Sequence, residues 1–198
     1  GRINLRTPPA KGQKAQRKEV IQMLIDYKPT TERTQRARDF FIISFLLMGA
    51  NMADLYDALP PINGVWEYNR AKTKDKRDDH ARMIVYVPKE VLPYIERYKD
   101  QTGSHWLNLY REYTNTETAS RCVSVGLDTI CNELGIPSFT MYAARKSWAT
   151  LARKFGVEKA TVNEGLCHVG DKVADIYIEK DWDIINAGNA KVISQFRW

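Results

Sequence analysis

Apolar and polar positions along the chain follow two different periods, and the change of period sets one short β segment apart from a helical body. From Gln16 to Tyr27 the residues Val20, Ile21, Met23, Leu24 and Ile25 repeat at helical spacing, which predicts a helix with one buried side. Pro29 stops it. Thr31-Glu32 opens a second helix that runs through Phe40-Phe41-Ile42-Ile43 to Met48. The apolar run from Phe40 to Ala50 is interrupted by Ser44 alone, so the second half of this helix is apolar on all faces and belongs at the centre of the core. Gly49 ends it, and Asn51 to Ala58 forms a short helix before Pro60-Pro61.

The period then shortens. Val65 to Asn69 alternates aromatic and small residues, and Met83 to Val87 is β-branched and aromatic, so both read as strands. Between them the loop from Lys74 to Ala81 carries six charged residues and a histidine, giving a hairpin with a basic tip. Helical spacing returns after Pro88: Lys89 to Tyr98, Glu117 to Leu134, Thr140 to Phe155 with Thr140 as its cap, Lys159 to Cys167, and an amphipathic segment from Trp182 to Phe196. Gly135 and Gly156 stand where glycines end helices. The expected fold class is therefore mainly α with a small antiparallel β-hairpin or sheet. Residues 1–13, rich in Pro, Gly and Lys, read as a flexible linker, and residues 14–198 as one domain.

Composition narrows the picture. No stretch of about 18 apolar residues occurs, so no membrane-spanning helix is expected. Arg-Ile-Asn-Leu-Arg leading into Pro8-Pro9 does not have the pattern of a secretory leader. Cys122, Cys131 and Cys167 are odd in number and form no Cys-x-x-Cys, which argues against a disulfide framework or a zinc site and fits a reducing cytoplasm. The net charge of +6 leans toward a polyanionic partner. Basic residues gather at Arg2–Lys18, Arg70–Arg82 and Arg145–Lys159.

The chemistry-bearing residues fall in a fixed order. Gly49-Ala50-Asn51-Met52-Ala53-Asp54-Leu55 comes first, then Arg70-Ala71-Lys72-Thr73 at the end of the first strand. Tyr142-Ala143-Ala144-Arg145-Lys146-Ser147-Trp148-Ala149-Thr150 lies on a helix. Leu166-Cys167-His168 follows, with Tyr177 nine residues after the histidine. This series resembles the catalytic domain of the tyrosine recombinases, the phage-integrase family, over roughly residues 14 to 198. That family has a Gly-x-Arg-x-x-[Glu/Asp]-Leu helix, a hairpin lysine, a His-x-x-Arg-His-[Ser/Thr]-[Phe/Trp]-Ala-Thr box, Leu-Gly-His, and a tyrosine nine residues later.

The resemblance implies a site-specific DNA recombinase or integrase of a bacterial mobile element. Such an enzyme acts in the cytoplasm at the nucleoid, on double-stranded DNA, with neither metal nor nucleotide cofactor. Tyr177 would be the nucleophile that forms a 3′-phosphotyrosine, conserving the bond for rejoining. Arg145 would grip the non-bridging phosphate oxygens, since a guanidinium is planar, always charged and donates in pairs. His168 would donate to the same phosphate or assist proton movement. Lys72 would protonate the leaving 5′-oxygen. The family also implies an upstream helical DNA-binding domain joined through residues 1–13. Four protomers would assemble on DNA, the isolated domain being a monomer. The tail after Tyr177, with Ile184, Ile185, Val192, Ile193 and Phe196, would pack on a neighbour or fold back in cis.

Four positions depart from the family pattern. Asn51 stands where the first arginine belongs, Tyr142 where the first histidine of the second box belongs, Lys146 at that box's second histidine, and Cys167 at a glycine. Losing one donor to the transition state costs about 10²- to 10³-fold in rate. Arg70, two residues before Lys72, would share its face on an extended strand and is the candidate replacement. Tyr142 keeps a hydroxyl able to donate to phosphate. Two other classes fit parts of the pattern: a DNA-binding relative with weakened or lost cleavage, and a type IB topoisomerase.

Overall fold

The computed structural model describes residues 14–168 and 179–198. Among them the chain is mainly helical with one two-stranded antiparallel sheet, in agreement with the fold class expected from the sequence. The residues expected to form a linker, 1–13, lie outside the described residues.

The element order is α1 (Lys18–Asp26), α2 (Glu32–Leu46), α3 (Met52–Tyr56), β1 (Val65–Asn69), β2 (Arg82–Tyr86), α4 (Leu92–Tyr98), α5 (Leu109–Glu112), α6 (Thr116–Leu134), α7 (Ala143–Lys154), α8 (Lys159–Gly165) and α9 (Trp182–Ile193). Short 3₁₀ turns at Lys74–Lys76 and Lys89–Val91 stand in the hairpin loop and before α4.

Helix α2 is the axis of the domain. Thr31 caps it, accepting from the Thr34 N–H at 3.2 Å, and Phe40 through Leu46 are buried on every face. Helix α6 runs against it, while α1, α4 and α7 close around the rest. The α2–α6 approach is close because Gly126 has no side chain: a β-carbon there would lie 2.5 Å from that of Ala37. Asp39, fully buried on α2, accepts from Arg38 Nε at 2.7 Å, Arg97 Nη1 at 2.5 Å and the Tyr98 hydroxyl at 2.7 Å. This satisfied carboxylate fastens α4 to the core, since a buried charge is tolerated only when paired and hydrogen-bonded.

The strands pair from Val65 with Tyr86 to Asn69 with Arg82. Trp66, Met83 and Val85 turn inward, as alternation requires. The outer edge of β2 is covered by α9 rather than by a strand. Asn186 Oδ1 accepts from the Tyr86 N–H at 2.8 Å, and Asn186 Nδ2 donates to the Ile84 carbonyl at 3.0 Å. One side-chain amide thereby takes the place of a ladder neighbour.

Helix α9 folds back in cis. Ile185, Val192, Ile193 and Phe196 are buried, and Ile184 is exposed. Buried Asn189 accepts from Trp148 Nε1 at 2.8 Å and donates to the Leu46 carbonyl at 2.9 Å, tying α9 to α7 and α2 together. No described helix is long and apolar enough to cross a membrane.

Candidate functional site

Arg145 projects from the first turn of α7 between the ends of two other helices. The expectation that Thr140 caps this helix is not met. The α-helix begins at Ala143, after a turn in which the Ala143 and Ala144 N–H groups donate to the Thr140 and Met141 carbonyls at 2.9 and 3.0 Å. Arg145 is 7% exposed. Its Nη1 donates to the Gly49 carbonyl at 3.4 Å beyond α2, and its Nη2 to the Leu166 carbonyl at the end of α8. Cations are stabilised at helix C-termini, and two fixed acceptors set the guanidinium in place before any ligand arrives. Burial, and then the neighbouring charge of Arg70, push its pKa down to about 10, so it remains charged at neutral pH.

The hairpin residues are arranged differently from the sequence expectation. Arg70 and Lys72 do not share a strand face. β1 ends at Asn69, and the chain turns at once, with the Thr73 and Lys74 N–H groups donating to the Arg70 carbonyl at 3.1 and 3.0 Å. The turn sends the Arg70 side chain into the interior, 2% exposed, and leaves Lys72 exposed. Arg70 Nη1 lies 3.6 Å from Asp54 Oδ2. That carboxylate is already engaged: Oδ1 accepts from the Ala71 N–H at 2.8 Å and Oδ2 from the Asn51 N–H at 2.9 Å. Asp54 therefore holds the start of α3 and the start of the hairpin loop together.

Around Arg70 the polar groups are left unsatisfied. Among the described residues, Arg70 Nε, Nη1 and Nη2, the Tyr68 hydroxyl and the Thr73 hydroxyl are buried without a hydrogen-bond partner. The Arg70 guanidinium stands 6.0 Å from the Tyr68 ring centre, and burial raises the Tyr68 pKa. Buried donors are ordinarily paired, so Arg70, with Asp54 as its ion-pair partner but no hydrogen bond among the described residues, is held less tightly than Arg145. His168 belongs to the same field. It stands at the surface after α8, and its pKa is lowered by partial burial and then by the charges of Arg145 and Arg70. The residue before it, Cys167, has φ of +55°, in the left-handed region where the family pattern has glycine.

Asn51, Lys72 and Tyr142 meet elsewhere in the site. They line one open cleft of about 550 Å³ together with Ser120, Arg121 and Ser124 of α6. Asn51 precedes α3, half-exposed, and the Tyr142 ring is 39% exposed with Lys146 Nζ 5.7 Å from its centre. Ala50 also lines the cleft and follows Gly49, which Arg145 contacts, so the cleft opens beside the buried guanidiniums. Tyr177 lies outside the described residues.

The α6 face was not singled out in the sequence, although Ser120, Arg121 and Ser124 within one turn of a polar stripe are its visible trace. Tyr68 was passed over as one strand aromatic among several. Among the described residues, no group of three or more His, Cys, Asp or Glu side chains is placed to hold a metal ion. No protein-family model matches the chain, and a search of curated proteins finds no match.

Proposed function

We propose that the chain is the catalytic domain of a tyrosine-type site-specific DNA recombinase, a phage-integrase relative of bacterial mobile elements acting in the cytoplasm. The observation that supports this reading is the buried Arg70–Arg145 pair, in which one guanidinium is preorganised and the other lacks hydrogen-bond partners among the described residues. The two like charges repel one another, Asp54 beside Arg70 offsets part of that repulsion, and a doubly contacted phosphate oxygen pair would offset more.

In this reading a DNA phosphodiester lies at the cleft with its non-bridging oxygens toward Arg145 and Arg70. Tyr177 Oη attacks phosphorus, forming the 3′-phosphotyrosine bond as the bond to the 5′-oxygen breaks. Lys72, exposed at the cleft, gives that oxygen its proton. His168, whose pKa is lowered by partial burial and by Arg145 and Arg70, accepts the phenolic proton. The cations stabilise the pentacoordinate state more than the ground state because its oxygens carry more charge. No metal or nucleotide enters these steps. Arg121 on α6, with Ser120 and Ser124 beside it, supplies a further contact for the DNA backbone along the cleft.

Asn51 favours a second reading, a DNA-binding relative that has lost efficient cleavage. A nicked duplex whose cut end diffuses away separates the two. Covalent protein–DNA adduct that disappears in Tyr177→Phe supports the enzyme; DNA binding with no adduct supports the second reading.

A further inference from the structure

The hairpin loop carries an ionic hub whose contacts reach beyond the loop. Asp79 accepts from Arg77 Nε at 2.7 Å and Nη2 at 2.8 Å, a bidentate pair, and its Oδ1 also accepts from the Ala81 N–H at 2.9 Å. The remaining Arg77 nitrogen, Nη1, donates to the His168 carbonyl at 3.0 Å after α8. On the other side, Lys180 Nζ donates to Asp79 Oδ2 at 3.0 Å and to Cys167 Sγ at 3.6 Å, and stands 5.3 Å from the centre of the Trp182 ring on α9. Asp79 therefore joins the loop that carries Lys72 to the entrance of α9, and its two cations, Arg77 and Lys180, each reach on to the end of α8.

The geometry is that of a fixed joint rather than of an incidental surface pair. Arg77 and Lys180 each keep only 16% of their side-chain surface exposed, and Asp79 keeps 38%. An isolated exposed pair contributes little, but a bidentate guanidinium within a network restrains orientation as well as position. Lys72, by contrast, is exposed, and no described hydrogen bond or ion pair involves its side chain; the backbone of its loop is what places it. The turn bonds to the Arg70 carbonyl anchor that loop at its start, and the Asp79 hub anchors it at its far end.

We propose that Asp79 is a positioning residue for Lys72. By holding Arg77 and Lys180 at once, it fixes the hairpin loop to residues His168 and Lys180, which flank the stretch carrying Tyr177, and so sets the proton donor relative to the leaving oxygen. This inference rests on the recombinase reading of the site. A misplacement of about 1 Å in such a group costs about 10²-fold in rate.

The test uses the full chain with Asp79→Asn, Lys180→Gln and Asp79→Glu on two nicked duplexes. One has the ordinary 5′-oxygen at the cleaved bond; the other has sulfur there, a leaving atom that departs without a proton. Asp79→Asn and Lys180→Gln should cleave the oxygen-linked DNA about 10²-fold more slowly than wild type. Both should cleave the sulfur-linked DNA at nearly the wild-type rate, and Asp79→Glu should recover much of the loss. Equal slowing on both substrates, or no slowing on either, overturns the proposal. Amide exchange over residues 74–81 is the second measurement. If wild type forms no adduct at all, the recombinase reading fails and the catalytic role of Asp79 fails with it. Faster exchange in Asp79→Asn would then show that the joint itself exists, and unchanged exchange would overturn that too.

Discussion

Gly49 lies so close to Arg145 that a β-carbon on the glycine would sit 2.6 Å from the arginine α-carbon. Its φ of +71° is in the left-handed region, and its carbonyl accepts from the same arginine's guanidinium. One residue thus needs the freedom of glycine twice, for its backbone and for its neighbour, while holding the first cation of the proposed clamp. Gly49→Ala is expected to destabilise the fold by about 1–3 kcal/mol from backbone strain, with a comparable cost from overpacking. Chemical denaturation measures the loss. A midpoint equal to wild type would contradict the close approach of Gly49 to Arg145.

Arg70 carries the second part of the proposed clamp. Arg70→Ala and Arg70→Lys should each reduce covalent DNA attachment by about 10²- to 10³-fold, because a lysine cannot reproduce the planar pair of donors. Vanadate, which adopts a pentacoordinate geometry, should raise the melting temperature of wild type and raise it less in Arg70→Ala. Anion stabilisation that is indifferent to Arg70 would move the binding site elsewhere.

Tyr142 offers its hydroxyl at the cleft, with its ring exposed and Lys146 above it. Tyr142→Phe should slow adduct formation by about 10-fold, the scale of one net hydrogen bond, while leaving the denaturation midpoint unchanged. Full activity in Tyr142→Phe would reduce the residue to packing.

His168 gives the stability a pH dependence. Its pKa in the folded chain is below the usual 6.5, first through burial and then through Arg145 and Arg70. The unfolded chain therefore binds the proton more readily. The contribution is fully present above about pH 6.5 and is lost as pH falls through the folded value. Asp79, held well below the usual 3.8 chiefly by Arg77, has the same sign but acts in a more acidic window. Melting temperatures recorded from pH 8 to pH 5 should fall for wild type and fall less for His168→Gln. Identical slopes would remove His168 from the field of the two arginines.

Asn189 tests the cis docking of α9. Asn189→Leu leaves the Trp148 N–H and the Leu46 carbonyl without their present partner in the core. The expected cost is about 2–6 kcal/mol, at roughly 1–3 kcal/mol for each stranded group. A change near zero would mean that water replaces the amide.

Much of the helical body was legible because its causes are local. The Thr31 cap, the uninterrupted apolar run of α2, and Gly135 and Gly156 with φ of +66° and +83° all act within a few residues of where they are read. Both strands are placed within one residue, the first by alternation and the second by its β-branched and aromatic content. Where neighbours far along the chain decide the outcome, the sequence reading failed. Arg70 and Lys72 were assigned one face because a strand was extended past Asn69; the carboxylate of Asp54, accepting from Ala71, turns the chain there instead. Four-residue α5 is too short to impose a period and was missed. The Arg77–Asp79–Lys180 hub joins residues 101 apart at its longest span, which no local pattern encodes. Candidate site residues on separate elements could be named by their type and order, but their burial, which leaves Arg70 beside Asp54 without a hydrogen bond and Lys72 exposed, could not.

The most direct test of the central claim is to map the residue that becomes linked to DNA. The full chain is incubated with a nicked duplex bearing its recombination site, the covalent product is digested, and the nucleotide-bearing peptide is sequenced by mass spectrometry. The expected result is a 3′-phosphate ester on Tyr177, absent in Tyr177→Phe and reduced by at least about 10²-fold in Arg145→Ala. An adduct on another residue, or one formed equally well by Tyr177→Phe, would contradict it.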